Sequence, residues 1–516
     1  MTKSSPIRVR IPVLLCLAAF LGVFALINFR YMPYFIDGDI FEDMQLAREM
    51  WRQKTLFPSN WIYGNQYYTI ATPVAAALFY GLTGSLNLSM ALATTLMGAL
   101  ILWSFWWMLR PFVQSETAIL AAMLLLVAAP MGRGLLLEPE GQLFFTLASY
   151  YACYLIALFV IFGDYARACL QPERGLRPGA LVFSLALCFL TGMQSLRQTL
   201  VAVLPVLALE LWRLLCRRSQ RQSLARAGGY LLLNLAGLGL MRLLRVPSKS
   251  IYGSVSLGGG LKEKLLDAWH SLRGITGLDA ACFSSPRVFF ALFFAFCLLL
   301  VLIAAAPVLR KCKAPDGAGL LWLLCLVSLL GVLAAGVLVE IRLREIYLFV
   351  WYPLVALSLL PVLELAKEKG RTWLLLGLCV LSLGNLGFSY GSSLRGTKSL
   401  DPAPYYDLAR DAKAAGRDLV YGQWKTVPHA LVWSDGALTG GFWGDILFEI
   451  QDTINLTDVY TPEDNDRALY LIGPWQADRE NFLHYAREMG AAVTLFGEYG
   501  DYIAYTSDIQ LMHFGG

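Results

Sequence analysis

Apolar runs close to the length of a bilayer crossing recur along the first 390 residues, and they constrain the fold more than any other feature. The runs are 11–30, 88–110, 117–131, 141–162, 178–193, 196–212, 229–244, 288–309, 318–339, 346–364 and 373–390. A helix needs about 20 mostly apolar residues to cross the hydrocarbon core of a membrane. Soluble domains rarely combine 57% hydrophobic with only 15% charged residues. The sequence therefore predicts an α-helical polytopic membrane protein with about 11 transmembrane helices.

The basic residues between the apolar runs predict how the chain lies in the cell membrane. With a cytoplasmic N-terminus, nearly every basic cluster at a short loop falls on the cytoplasmic side, as the positive-inside rule requires. These clusters are Lys3/Arg8/Arg10, Arg110, Arg167/Arg174/Arg177, Arg213/Arg217/Arg218/Arg221/Arg226, Arg310/Lys311/Lys313 and Lys367/Lys369/Arg371. We therefore expect the chemistry on the extracytoplasmic face. The net charge of +5 then reflects orientation in the membrane rather than nucleic-acid binding.

The composition changes after residue 390, which predicts a second domain. Helical patterns at 404–415 and 477–489 alternate with short strand-like runs at 418–422, 468–472, 492–497 and 501–506. This alternation is typical of a small α/β domain, which we expect at 391–516 outside the membrane. Residues 1–390 are predicted to form the transmembrane domain, with long outer loops at 31–87 and 245–287.

Two carboxylate pairs are predicted on the outer face. Asp37 and Asp39 follow the first apolar run, and Glu138 and Glu140 precede the run at 141–162. Acidic residues at the end of a membrane helix are costly unless they face water, a partner or a substrate. Such a pair can hold a divalent cation, or one carboxylate can act as general base while the other orients it. The competing interpretations are solvated loop charges for the first pair and a helix N-cap for the second.

Arginines on the outer face run against the positive-inside trend. Arg197 and Gln198 lie in a very short linker between two apolar runs, and Arg342 and Arg344 precede Tyr347 at the start of another. An arginine at the membrane surface can bind a phosphate through two parallel hydrogen bonds. Snorkelling to lipid headgroups or pairing with nearby glutamates would also account for these residues.

Carboxylates and arginines on one face suit a lipid-phosphate sugar as substrate. A carboxylate would deprotonate an acceptor hydroxyl that attacks the anomeric carbon, and arginines would neutralise the departing phosphate. We therefore predict a membrane glycosyltransferase that uses a polyprenyl-phosphate sugar. A polytopic transporter or lipid flippase, and a non-enzymatic envelope-assembly protein, are the alternatives. The transporter is disfavoured because the charges cluster in outer loops and no internal repeat is visible.

Several motifs resemble those of the GT-C glycosyltransferases, in the branch of protein O-mannosyltransferases and aminoarabinose transferases. Asp39 is followed eight residues later by Ala47-Arg48-Glu49-Met50, and Glu140 precedes an apolar helix that begins Leu143-Phe144-Phe145. Arg197 stands before a helix with an internal proline, and Arg344 precedes Tyr347 and Pro353. The match covers most of residues 1–390, although Ala71-Thr72-Pro73 replaces the family's Lys-Pro-Pro.

The resemblance implies roles for these residues. Asp39 would be the catalytic carboxylate, with Asp37 beside it and Glu140 as a second acidic group. Glu138, Arg197, Gln198, Arg342, Arg344 and Tyr347 would bind substrate. The resemblance implies hexosyl or pentosyl transfer to a glycan, lipid or protein acceptor among membrane lipids. It implies no obligatory cofactor or metal, although the carboxylate pairs would accept a divalent cation.

Overall fold

The computed structural model describes residues 7–64, 66–131, 144–171, 178–249, 260–277, 288–338, 343–397, 400–450, 456–457, 462–473 and 475–513. The chain divides into two compact units. The first comprises Met1–Ala25, Thr95–Arg245 and Tyr252–Ser393, and the second comprises Leu26–Thr94, Val246–Ile251 and Leu394–Gly516. Residues 31–87 therefore belong to the same unit as the C-terminal segment.

Helices make up most of the chain up to Gly396. They are α1 (Ile7–Leu26), α2 (Gly38–Gln53), α3 (Thr72–Thr83), α4 (Leu86–Leu109), α5 (Glu116–Ala128), α6 (Ala152–Leu170), α7 (Pro178–Gln194), α8 (Leu204–Leu215), α9 (Arg221–Leu244), α10 (Leu261–Thr276), α11 (Val288–Arg310), α12 (Gly317–Leu338), α13 (Trp351–Leu365) and α14 (Glu368–Gly396). Short π-helices at Ile27–Tyr31 and Thr199–Val203 extend α1 and precede α8.

The predicted polytopic helical architecture is confirmed. Among the described residues, eight helical stretches are long and apolar enough to cross a membrane, and α3, α5 and α7 are shorter apolar helices. The prediction was wrong for the run 141–162 as one continuous helix, because α6 begins only at Ala152. Leu147 and Ser149 have positive φ angles of 58° and 50°, a left-handed conformation that cannot continue a right-handed helix.

A buried polar network joins the helices of the first unit. Arg226 of α9 donates to Asp164 of α6 at 2.9 Å, and the Tyr230 hydroxyl donates to the same carboxylate oxygen at 2.6 Å. Glu210 of α8 accepts from Ser223 of α9 at 2.8 Å. Buried charges are costly unless they are paired and hydrogen-bonded. Asp164 and Glu210 therefore link neighbouring helices through hydrogen bonds.

The predicted C-terminal α/β fold is present in the second unit. Its elements are α15 (Ala403–Ala414), β1 (Leu419–Gln423), α16 (Val427–Leu431), β2 (Thr439–Trp443), β3 (Ala468–Ile472), α17 (Gln476–Glu488), β4 (Val493–Tyr499) and β5 (Tyr502–Ser507). The strand order is β2-β1-β3-β5-β4, with β1, β2 and β3 parallel and β5 antiparallel to both of its neighbours. The buried rings of Tyr421, Tyr470 and Phe482 form the aromatic core of this α/β fold.

Helix α2 packs on this sheet within the second unit. The Phe41 ring contacts Phe442 of β2 edge to face, with 5.9 Å between ring centroids. A Cβ on Gly38 would lie 2.0 Å from the Trp424 ring, so only glycine allows this close approach. The start of α2 is therefore held by the segment that follows β1.

Candidate functional site

The acidic segment after the first apolar run begins helix α2. Asp37 is the N-cap residue, and its side chain accepts a hydrogen bond of 2.8 Å from the backbone N–H of Ile40. An aspartate here satisfies one of the orphan N–H groups of the first turn and complements the helix dipole. Asp37 therefore has a structural role as the cap of α2, which explains an acidic residue at this position.

Asp39 and Asp43 lie one helical turn apart in very different surroundings. Asp39 is exposed, whereas the side chain of Asp43 is buried. Burial raises the pKa of Asp43 well above its usual range, and the nearby charges of Asp39 and Asp37 raise it further. A hydrogen bond from the Tyr68 hydroxyl acts in the opposite direction. The cluster therefore pairs an exposed carboxylate with a buried carboxyl group that retains its proton more strongly.

The Ala47-Arg48-Glu49 stretch, on which part of the family resemblance rests, lies in the part of α2 that contacts the sheet. Arg48 donates to the Thr439 hydroxyl at 2.9 Å and to the Gly436 carbonyl at 3.4 Å. Gln45 accepts from the Gly440 N–H at 3.0 Å. Burial lowers the pKa of Arg48, partly offset by the adjacent Glu49. These contacts hold α2 against the edge strand β2, so the motif supports the helix that presents Asp39.

The buried carboxyl group makes stability depend on pH. A group whose pKa is raised on folding stabilises the fold below its unfolded pKa, and that contribution is lost as pH rises through the folded pKa. We expect Asp43→Asn to remove this loss, so that the stability of the variant relative to the wild type increases from pH 5 to pH 8. Thermal unfolding of the purified protein at both pH values measures the effect.

The control for this prediction is Asp501→Asn, which makes the same chemical change at an exposed position between β4 and β5. It should leave the pH dependence of the wild type unchanged. If Asp43→Asn retained the full wild-type dependence on pH, Asp43 would not be the group responsible.

Arg197 lies in a cage of tyrosine rings in the first unit. Its guanidinium carbon is 4.6 Å from the ring centroid of Tyr151, 5.3 Å from Tyr154 and 5.5 Å from Tyr347. Among the described residues, no ion pair joins Arg197 to a carboxylate. Aromatic faces attract a cation but leave its N–H groups without an anionic acceptor. The arrangement therefore positions a guanidinium that can still bind an anion.

Gln198 is fully buried beside this arginine along the chain. Neither its side-chain nitrogen nor its oxygen has a hydrogen-bond partner among the described residues. Leaving a buried polar group unsatisfied costs about 1–3 kcal/mol, so such a group calls for a ligand or an ordered water. The π-helix Thr199–Val203 follows directly, and π-helical turns often mark functional positions.

The structure brings together part of the predicted substrate-binding set. Arg197 contacts Tyr347, and the Tyr347 N–H donates to the carbonyl of Arg344 at 3.0 Å. The Arg344 side chain itself is exposed. The predicted residues Glu138, Glu140 and Arg342 lie outside the described residues.

Tyr151 and Tyr154, at the start of α6, were missed by the sequence analysis. Their three-residue spacing across the start of a helix is the only signal that could have suggested them. Asp43 was missed as well, because the sequence alone does not show that its side chain is buried.

Metal binding finds no support among the described residues, where no group of three or more histidines, cysteines, aspartates or glutamates could hold an ion. Glu138 and Glu140 lie outside the described residues. The expectation that the protein needs no obligatory cation therefore stays a prediction.

The architecture is that of a polytopic helical membrane protein, as predicted. Two solved structures of ArnT from Cupriavidus metallidurans share the fold. The form bound to undecaprenyl phosphate matches with a TM-score of 0.61 and 14% identity, over 97% of this chain and 99% of that one. The apo form matches with a TM-score of 0.58 and 14% identity, over 96% and 99%. No protein-family model and no curated protein matches the sequence.

Proposed function

We propose that this protein is a membrane glycosyltransferase that moves a sugar from a polyprenyl-phosphate donor to an acceptor hydroxyl on the outer face of the membrane. The observation that carries the proposal is the tyrosine cage around Arg197, which positions a guanidinium without a carboxylate partner among the described residues. A leaving lipid phosphate is an anion of the kind such a group binds. The shared fold with an ArnT that is described as bound to undecaprenyl phosphate supports the same assignment.

The reaction needs a base and an anion-binding group. Asp39 takes the proton of the acceptor hydroxyl, whose oxygen then forms a bond to the anomeric carbon. The bond from that carbon to the phosphate oxygen breaks, and its electron pair leaves with the polyprenyl phosphate. Arg197 stabilises the charge that develops on this phosphate. Glu140, Gln198, Arg342, Arg344 and Tyr347 are proposed to bind or orient the two substrates.

The carboxylates of the acidic segment are not equally available to act as a general base. Asp37 already accepts the hydrogen bond that caps α2. Asp43 is buried, and its raised pKa keeps it protonated to higher pH, so it is less available as a free base. Asp39 is exposed to the solvent from which an acceptor arrives. This contrast supports Asp39 as the base.

The transporter alternative predicts functional charges within the spanning helices. The buried carboxylates Asp164 and Glu210 are hydrogen-bonded to neighbouring helices, so both have a structural explanation. This pairing favours the enzyme over the transporter. The distribution of basic loops supports a cytoplasmic N-terminus, and with that orientation Asp39 and Arg197 are proposed to lie on the outer face.

Ligand-dependent stability tests the proposed donor class. The purified protein in nanodiscs is heated with undecaprenyl phosphate or with undecaprenol, which has the same chain without the phosphate. A ligand at 100 times its Kd stabilises the folded state by about 2.7 kcal/mol, so undecaprenyl phosphate should raise Tm by several degrees. Undecaprenol should raise it little. Equal shifts with the two lipids would argue against recognition of the phosphate.

A further inference from the structure

A cleft opens in the second unit at the carboxyl ends of the parallel strands. Its volume is about 690 Å³, within the usual range for small-molecule sites. Gln423 ends β1, Trp443 ends β2 and Ile472 ends β3, and all three residues line the cleft. No residue predicted from the sequence to have a function lies there.

The sheet topology explains why a binding site forms at this edge. The chain leaves β1 for β2 on one side of it and then crosses to β3 on the other side. Connections that leave in opposite directions open a crevice beyond the carboxyl ends of the strands, which is where open α/β sheets bind ligands. The cleft lies at this topological switch point.

One face of helix α17 supplies polar groups to the cleft. Asp478, Asn481, Tyr485 and Glu488 all line it. Spacings of three, four and three residues place these side chains along a single stripe of the helix. The stripe runs the length of α17, so the helix presents hydrogen-bonding groups along the whole cleft.

The chemistry of the lining selects among ligands. Within the described residues, the side chains of Gln423, Asp478 and Asn481 make no hydrogen bond to another protein group. Among the residues that the structure describes, no lysine or arginine lines the cleft, whereas three carboxylates do, and one of these, Asp445, is paired with Lys425 at 2.9 Å. This excess of negative charge disfavours phosphates, nucleotides and acidic glycans.

Apolar side chains complete the lining. Tyr485 is 47% exposed and Ile446 63% exposed, so both present apolar surface to the cleft. A sugar ring has hydroxyl groups at its edge and C–H groups on its faces. Amides and carboxylates hydrogen-bond to the hydroxyl groups, and an aromatic ring packs against the C–H face.

We propose that this cleft binds an uncharged oligosaccharide, as the recognition site for the acceptor glycan. The inference rests on the proposed function and deepens it, since it names the acceptor as a glycan rather than a protein or a simple lipid. Asp478, Asn481 and Gln423 bind hydroxyl groups, and Tyr485 packs against a ring face.

Direct binding tests the inference on the full-length protein in detergent. Saturation-transfer NMR and calorimetry are performed with four neutral probes, namely the tetrasaccharides of glucose in α-1,4 and β-1,4 linkage, of N-acetylglucosamine and of mannose. We expect at least one to bind with a millimolar or lower Kd. Tetragalacturonate, an anionic tetrasaccharide, should not bind. Asn481→Ala and Tyr485→Ala should each weaken binding of the neutral probe at least tenfold.

The matched control is Arg479→Ala, which changes an exposed residue of the same helix that does not line the cleft. It should leave the Kd within twofold of the wild type. Absence of binding by all four neutral probes, or equal binding by the cleft variants, would overturn the inference.

A second comparison separates this inference from the proposed function. Asp39→Asn should bind the saccharide as the wild type does, because Asp39 is not part of the cleft. If saccharide binds but undecaprenyl phosphate does not, the cleft assignment stands and the proposed donor fails.

Discussion

Replacement of Asp39 by asparagine is expected to lower the rate of sugar transfer by roughly a thousandfold while the protein still folds and inserts. Asparagine has nearly the same shape but cannot accept the proton of the acceptor hydroxyl, and general base catalysis contributes about 10²–10⁴-fold. Asp39 is exposed at the second position of α2, so its replacement by an asparagine of nearly the same size disturbs no core packing. Release of polyprenyl phosphate from a labelled donor measures the rate.

The control is Asp37→Asn, the same change two residues earlier. Asparagine caps a helix about as well as aspartate, so the start of α2 should be preserved. We expect this variant to transfer sugar within about threefold of the wild type, since a kept cap leaves the base in position. Loss of activity in Asp37→Asn with full activity in Asp39→Asn would move the assignment to Asp37.

Replacement of Arg197 by lysine is expected to lower kcat/KM for the donor about a hundredfold. Lysine keeps the positive charge but loses the planar fork that binds two phosphate oxygens and stacks on aromatic rings. Because the interaction is strongest as the phosphate leaves, kcat should fall together with kcat/KM. Initial rates over a range of donor concentrations in nanodiscs separate the two parameters.

The tyrosine cage provides the control for this prediction. Tyr154→Phe keeps the ring beside Arg197 and removes only the hydroxyl, which shares a hydrogen bond of 2.7 Å with Ser195. It should retain most of the activity, whereas Tyr154→Ala should lose about tenfold because the guanidinium loses one of its supports. Unchanged donor kinetics in Arg197→Lys would exclude Arg197 from phosphate binding.

Much of the fold could be predicted because hydropathy acts locally. A run of apolar residues must form a helix in lipid, since no water is present to satisfy its backbone. The run 141–162 departs from the prediction where Leu147 and Ser149 adopt left-handed conformations, which hydropathy does not encode. Strand β2 was also missed, because Gly440 and Gly441 give it a low strand propensity.

The candidate site was less predictable because its chemistry depends on contacts between distant residues. Asp37 and Asp39 look equivalent in the sequence, and only the hydrogen bond to Ile40 separates a cap from an exposed carboxylate. Arg48 belongs to a motif of the resemblance, yet its hydrogen bonds go to residues almost 400 positions away. Such pairings depend on the folded chain.

By itself, the sequence determined the class of the protein. Apolar runs specified the spanning helices, and alternating patterns specified the α/β domain. The placement of charges predicted functional roles for Asp39 and Arg197. Tertiary structure decided what surrounds each group: the burial that raises the pKa of Asp43, and the rings that hold Arg197. The physical reason is that hydrophobicity and propensity belong to neighbouring residues, whereas desolvation, electrostatic coupling and hydrogen bonding depend on residues brought together only by folding.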